Sequence, residues 1–420
     1  MAGAPVRQAS LREHNLALVL RQIATADRPP SRAELATATG LTRATVSALV
    51  EDLIGGHLLT EVDPTPRAGA GRPALGLVLA NHGPAGLGLE INVDYLAACV
   101  VDLAGTVRYR VVHRADLRPL SPADVLARVA ELATTARGEA VRQHLTLAGT
   151  ALAVPGLVTS AGLVRLAPNL GWHDVDVPGV LGRRPAPAGT PLAAAGSRSG
   201  TRPPIDTTSL TVDNEANLAA LGELHANPPG PANFLYVSGE IGIGAGIVLH
   251  GALFRGGRGW SGELGHVPVH PEGRACRCGA RGCLEQYAGQ EAILSSAGLA
   301  DQPPRADAAI ARLAERAGAG DPAAVRALTG AATALGVAIA GVVNLLDVDT
   351  VVLGGVYAPL ARWLIPPIDG EIQRRVLTAA WSPVVVRPSL LGADAAVVGA
   401  AGSVVRAILE QPARWLAAAG

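Results

Sequence analysis

Four side chains with metal-binding chemistry lie close together in GHVPVHPEGRACRCGARGCLEQ: His266, Cys276, Cys278 and Cys283. One imidazole and three thiolates make a complete tetrahedral donor set, and soft sulfur ligands suit Zn²⁺. Gly279 and Gly282 allow the tight turns needed when three thiolates converge from so short a loop. Four protein ligands leave no open coordination position, so a zinc held here would be structural rather than hydrolytic. The Cys-x-Cys spacing departs from the commoner Cys-x-x-Cys. Spacing alone also leaves His270 as an alternative fourth ligand, and three reduced cysteines in an ordinary loop as the plain reading. Cys99, alone in an apolar strand pattern, reads as core.

A second group of residues has the types that read DNA. Arg43, Thr45 and Ser47 open the second helix of SRAELATATGLTRATVSALVEDLI. In a helix-turn-helix that end of the helix points at base edges and phosphates in the major groove. Arg67 and Arg72, in the loop TPRAGAGRP, are placed to reach the backbone or the minor groove. Charge gives this reading little help, since residues 1–79 hold eight arginines against seven acids. A helical hairpin with no DNA partner would share the layout, but the full order of helix, capped helix, glycine turn, helix and wing is more specific than any part.

The elements that must hold these residues follow from local signals. LREHNLALVLRQIA places Leu11, Leu18, Val19 and Leu20 at helical spacing. After Pro29–Pro30, Ser31 and Glu34 form a capping box for a short helix to about Thr39. Gly40 turns the chain, Thr42 caps the next helix, and Gly55–Gly56 stops it. Leu35, Val46, Leu49 and Val50 are spaced to pack the pair. LLTEV and LGLVL read as the two strands of a wing. Beyond residue 80 strands alternate with helices, the mark of an α/β domain. GLGLEINVDYLAACVVDLAGTVRYRVV reads as a hairpin or meander, LAGTALAVPGLV as one buried strand, and 394–411 as a closing helix. Residues 183–204 are low in complexity and read as a surface insertion.

The whole chain sets the bounds. Its 420 residues allow two or three domains, and 49% are apolar while only 3% are aromatic, so aliphatic side chains fill the core. The formal net charge is zero, which removes any global attraction to nucleic acid or membrane. No lysine occurs, a bias of composition more than a functional signal. The N-terminus lacks the apolar run of a secretory signal, and the apolar segments are interrupted by Gly, Asp or Asn. These features lead to the expectation of a soluble cytoplasmic protein with no membrane partner.

The segment GELGHVPVHPEGRACRCGARGCLE resembles the signature of the ROK family of repressors, open reading frames and sugar kinases. VPGLV at 154–158, PNLGW at 168–172, VDNEANLAALGE at 212–223, GEIGIGAG at 239–246 and VVLGG at 351–355 extend that resemblance over most of residues 80–420. It implies an α/β, actin/hexokinase-like two-lobed ROK domain behind a small winged helix-turn-helix, as in the family's xylose and N-acetylglucosamine repressors. The units would be 1–80, with wing and linker at 63–80, then 81–212 plus 389–420 as small lobe, and 213–388 as large lobe with the zinc loop. The family's sugar contacts fall on Asn214, Glu263, His266 and Glu285, beside Glu215, with Asn169 and Gly156 near the same cleft. His266 would serve both zinc and sugar. Implied partners are double-stranded operator DNA, a monosaccharide effector and a second copy of the chain.

Departures from the kinase pattern bear on activity. The kinases resembled carry an Asp as general base where this chain has Glu215, and the extra methylene moves the carboxylate. Their opening D-x-G-G-T turn, which approaches the ATP phosphates, is replaced by EINVDYLAA, with Glu90, Asn92 and Asp94 and no glycine pair. GEIGIGAG keeps its glycines but adds Glu240. The expectation is a sensor without kinase activity; the rival is an ATP-dependent sugar kinase with a fused DNA-binding domain.

Overall fold

The computed structural model describes residues 8–63, 75–182, 205–206, 209–226, 231–299 and 306–419. Arg67, Arg72 and the insertion at 183–204 lie outside the described residues.

Three helices open the chain: α1 (Gln8–Ala24), α2 (Arg32–Thr39) and α3 (Arg43–Gly55). The start of α2 is fixed by the Ser31–Glu34 capping box, with both reciprocal bonds formed. Gly40 ends it in the left-handed conformation, and the Thr42 hydroxyl caps α3 by accepting from the Thr45 amide. Leu35, Val46, Leu49 and Val50 are all buried where the helices meet. Leu11 differs from expectation: it is 53% exposed. The apolar face of α1 runs instead through Leu16, Val19, Leu20 and Ile23, one turn later, where α2 and α3 cover it. Strands β1 (Leu59–Val62) and β2 (Gly76–Leu79) pair antiparallel beside α3. Replacing Ser31 by Ala is expected to cost about 1 kcal/mol of local stability. Amide exchange in the first turn of α2 should then quicken about fivefold, and an unchanged rate would show that the cap carries no energy.

The rest of the described chain is one strand plan used twice. In the first lobe β3 (Gly83–Ile91), β4 (Tyr95–Asp102) and β5 (Val107–Arg114) form an antiparallel meander. Helix α4 (Pro122–Arg142) carries the chain to β6 (Leu145–Val154), which pairs parallel with β3. A small sheet of β7 (Leu157–Val158), β8 (Leu163–Ala167) and β9 (Trp172–Asp176) and helix α5 (Val177–Gly182) precede β10 (Leu210–Asn214), parallel to β6. The order is β5-β4-β3-β6-β10, and α6 (Glu215–Ala226) follows. The second lobe repeats it with β11 (Phe234–Gly239), β12 (Ile243–Leu249) and β13 (Ala252–Leu253). Helices α7 (Glu285–Ala288), α8 (Gln290–Ser296), α9 (Ala306–Gly318) and α10 (Pro322–Leu346) then lead to β14 (Thr350–Gly355). After α11 (Tyr357–Arg375) comes β15 (Val385–Pro388), giving the order β13-β12-β11-β14-β15. Helices α12 (Ala395–Glu410) and α13 (Pro412–Ala419) close the chain.

The helix that follows each sheet packs on the other one. Helix α6 leaves the first sheet and lies on β11 and β12, while α12 leaves the second and lies on β3, β4 and β6. The two helices cross each other at the junction. The buried cluster of the helix-turn-helix also contains Cys99 of β4 and Val397, Ala401, Val405 and Ile408 of α12, so apolar packing is continuous across residue 80.

Two expectations are corrected. LAGTALAVPGLV is not one strand: β6 ends at Val154, and Gly156, at φ +102°, turns the chain before β7. A β-carbon there would crowd the Leu166 carbonyl. Two stretches, Pro322–Leu346 and Gly392–Glu410, are also long and apolar enough by composition to cross a membrane. Their internal glycines interrupt neither length nor hydropathy. Residues such as Leu328, Leu335 and Ile339 of α10 are buried in the second lobe's core.

Candidate functional site

The parallel strands β3, β6 and β10 end at the junction of the lobes, where open α/β sheets present their crevices. From the first lobe the β3–β4 turn brings Asn92, the β6–β7 turn brings Gly156, the segment after β8 brings Asn169, and the β10–α6 junction brings Asn214 and Glu215. From the second lobe come Glu240 to Gly244 of the β11–β12 turn, then Glu263, His266, Arg277 and Glu285. All seven residues expected at a sugar site, Gly156, Asn169, Asn214, Glu215, Glu263, His266 and Glu285, line this one cleft. Its cavity volume is about 60 Å³, below the roughly 300–1,000 Å³ usual for small-molecule pockets. A sugar ring can enter only if side chains or lobes part. A larger cavity of about 1450 Å³ opens elsewhere, beside Thr211, Arg255 and Gln411, and none of the seven lines it.

Each side chain is held by a local partner. Asn214 Oδ1 accepts from the amides of Ala216 (2.8 Å) and Asn217 (3.2 Å), capping α6, while Nδ2 donates to the Gly156 carbonyl at 3.0 Å. Glu215 Oε2 is buried with no hydrogen-bond partner among the described residues. Glu285 Oε2 accepts from the Ile243 amide at 3.3 Å. A β-carbon on Gly242 would lie 2.7 Å from Glu285 Oε2 and 2.8 Å from Asn169 Nδ2, so any larger residue would push both side chains aside.

Carboxyls crowd the junction, and their protons respond. Burial, with Glu263, Glu90 and Asp213 nearby, pushes Glu215 up to about 8. Burial pushes Glu90 up to about 7 against the Tyr95 hydroxyl, which donates to it at 2.6 Å. Glu240 is raised well above the usual carboxylate range by burial and by Glu90, Asp94 and Glu215. Burial raises Glu263 as well. A protonated carboxyl both donates and accepts, as does a sugar hydroxyl.

Sequence reasoning passed over Arg277. Its position between Cys276 and Cys278 could have flagged it, because two ligands fix the backbone on either side. Glu291 pairs with Arg277 at 3.3 Å and with Arg118 of the first lobe at 3.5 Å, bridging the lobes.

The metal set is compact. The four ligand atoms of His266, Cys276, Cys278 and Cys283 all lie within 4.8 Å of one another. Zinc–sulfur bonds of about 2.3 Å imply tetrahedral edges of about 3.8 Å. Cys278 Sγ and Cys283 Sγ are 3.7 Å apart, and Cys276 Sγ is 3.9 Å from His266 Nδ1. The group can therefore hold a metal such as zinc. His270 stands apart from it, edge-on to Tyr287 at 4.7 Å between ring centroids. A β-carbon on Gly282, at φ +72°, would strike the His270 carbonyl, so the turn into Cys283 requires glycine.

In the helix-turn-helix, Arg43 is exposed and makes no ion pair among the described residues. Thr45 is half-buried with its hydroxyl 2.9 Å from that of Thr42, and Ser47 is half-buried. Three other arginines of this unit are paired: Arg12 with Asp52, Arg28 with Glu34, and Arg32 with Glu51 and Glu61.

A helix-turn-helix joined to a duplicated two-lobed α/β fold, with a Cys₃His loop at the lobe junction, defines an actin/hexokinase-like protein of the DNA-binding kind. Residues 207–406 match the ROK family and residues 15–63 match the IclR helix-turn-helix domain. The xylose repressor of Bacillus spizizenii is 26% identical over 405 residues, which cover 96% of this chain and 98% of the repressor. A glucokinase of Halalkalibacterium halodurans is 30% identical over 267 residues, covering 60% of this chain and 74% of the enzyme. The crystal structure of a ROK family transcriptional regulator, a homologue of the E. coli MLC protein, matches with a TM-score of 0.75 at 26% identity. That match covers 97% of this chain and 98% of the other. The chain belongs to the ROK family.

Proposed function

We propose that this chain is a sugar-responsive DNA-binding transcription regulator, a repressor of carbohydrate-metabolism genes that acts in the cytoplasm as a homodimer. The observation that carries the reading is the convergence of Gly156, Asn169, Asn214, Glu215, Glu263, His266 and Glu285 on one cleft between the lobes. Carboxyls and amides at close quarters suit the vicinal hydroxyls of a monosaccharide. The cleft is too narrow for a ring as it stands, and on the sensor reading it is the lobes that part to admit one. That motion shifts the paired helix-turn-helix units relative to a two-fold operator. Arg43, Thr45 and Ser47 read the DNA, helped by Arg67 and Arg72 of the wing loop. The working units are 1–80, 81–212 with 389–420, and 213–388.

The metal is zinc, and its role is structural, because His266 and three thiolates fill the tetrahedron. His266 uses Nδ1 on the metal side, which leaves Nε2 for the sugar, so the zinc loop orients a ligand contact. Kinase activity is absent. Glu215 stands in place of the aspartate base of ROK kinases; Asn92, Asp94 and Glu240 occupy the turns that would have to accept phosphates, with Glu90 at the end of β3 beside them. These side chains fill the space in which backbone amides would have to approach a triphosphate.

A panel of pentoses and hexoses tests the reading by thermal shift and by mobility of a DNA complex. A sugar that binds only the folded chain must raise its melting temperature, by an increment that grows with concentration. The same sugar should change DNA retention. If no sugar shifts the melting temperature while DNA binding persists, the sensor reading fails. Sustained ADP release with any sugar and ATP, lost in Glu215→Ala, would establish the rival kinase instead.

A further inference from the structure

We propose that α12 couples the cleft to the DNA-binding helix, with Trp415 as the positioning residue at the DNA end. The inference rests on the cleft being the effector site. It begins at Asn214 and Glu215, the junction from which α6 starts. Because Asn214 caps α6 through the amides of Ala216 and Asn217, anything that draws on Asn214 or Glu215 acts on the first turn of that helix.

The next step is a contact of backbones. Gly399 of α12 lies against the Leu218 carbonyl so closely that a β-carbon would overlap it. A β-carbon on Gly222 of α6 would in turn lie 2.7 Å from the Ala395 carbonyl. On its opposite face α12 meets β3 the same way, with the Val397 carbonyl against Gly88. At these three points backbone meets backbone, with no side chain there to absorb a shift by changing rotamer, so α12 moves with α6.

The far end of α12 enters the helix-turn-helix. Val405 and Ile408 belong to the buried cluster that holds Leu49, Val50 and Leu53 of α3. Beyond it, in α13, the Trp415 indole Nε1 donates to the Gly56 carbonyl at 2.9 Å. Leu416 packs on Gly56 with no room for a β-carbon between them. Gly56 is the C-cap of α3, the helix that carries Arg43, Thr45 and Ser47. The pair Trp415 and Leu416 thus holds the base of that helix to the end of the sensor.

Native-state amide exchange on the full chain tests this with neither sugar nor DNA, so its failure is distinct from failure of the sugar screen. The amides of Gly56, His57 and Leu58 donate to Asp52, Ile54 and Leu53 and make suitable reporters. Glu215→Gln, at the cleft, is expected to change their exchange about fivefold, the lower end of typical allosteric coupling. In a Trp415→Phe background, which keeps an aromatic ring and loses the N–H donor, the same Glu215→Gln change should fall below roughly twofold. The first turn of α6 should respond to Glu215→Gln in both backgrounds. If Trp415→Phe abolishes protection throughout α1 to α3, Leu416→Ala takes its place in the cycle. Reporters that ignore Glu215→Gln, or respond equally with and without the indole donor, overturn the proposal.

Discussion

Replacing Cys278 by Ser is expected to empty the metal site and melt the loop around it. On the zinc reading, metal content falls from about one ion per chain toward none, since structural zinc sites bind with roughly 10–16 kcal/mol. The loop then loses the force that draws residues 266 to 283 together. A hydroxyl at position 278 is a hard, weakly acidic donor and replaces a thiolate poorly. The fall in melting temperature should be on the order of 5–10 °C, given about 2–4 °C per kcal/mol in large domains. Sugar binding should fall with it, because His266, Arg277 and Glu285 all hang on this loop. Cys99→Ala is the control: Cys99 is buried in β4, far along the chain from the cluster, and its loss should leave the metal in place. Elemental analysis of purified protein decides the matter, and unchanged zinc in Cys278→Ser would refute the assignment.

Stability should also run against the usual acid trend. Glu215 at about 8 and Glu90 at about 7 both hold protons in the folded chain that they release in the unfolded one, where a glutamate titrates near 4.5. The folded state therefore binds more protons between these limits, and the stability linked to them is complete below the unfolded value. It is lost as pH rises through 7 and 8, at up to about 1.4 kcal/mol per pH unit for each group. Urea unfolding at pH 6 and pH 8 should show the chain weaker at pH 8 by a few kcal/mol. Glu215→Gln removes one of the two groups with little change of shape, so it should flatten the dependence and raise stability at pH 8. An unfolding midpoint that climbs with pH across this window would contradict the assignment of protons to these carboxyls. Burial drives both shifts. For Glu90, Asp394 raises the pKa further while Tyr95 and Arg110 oppose the rise; for Glu215, nearby Glu263, Glu90 and Asp213 reinforce it.

Much of this was legible in the residues themselves, and the reasons are local. Ser31 with Glu34, Gly40 and Thr42 mark helix ends by chemistry that acts within three or four positions, and each appears where the spacing put it. The Cys₃His set was legible because soft ligands cluster rarely without a metal. Other features depend on partners far along the chain. Leu11 fits the apolar period of α1 as well as Leu18 does, but which turn is covered depends on where α2 and α3 cross it. The exchange of α6 and α12 between the sheets is set by parallel pairings such as β10 with β6, some sixty residues apart. The choice of His266 over His270 needed the turn at Gly282, whose glycine lets the chain pass close under the His270 carbonyl.

The shared apolar packing of β4, α12 and the helix-turn-helix also limits how far this protein is modular. Many regulators can be cut at the linker into a reader and a sensor that behave independently. Here a cut near residue 80 would strip the cover from Cys99, Val101, Val397 and Val405 on one side and from Leu16, Leu20 and Leu53 on the other. Each fragment would carry an exposed apolar face, the kind of surface that drives aggregation. Recombination that grafts this sensor onto a foreign DNA reader must therefore carry over the contact face of α1 and α3, or rebuild it. The reader and sensor are bound to change together, and their shared face is inherited as a single unit.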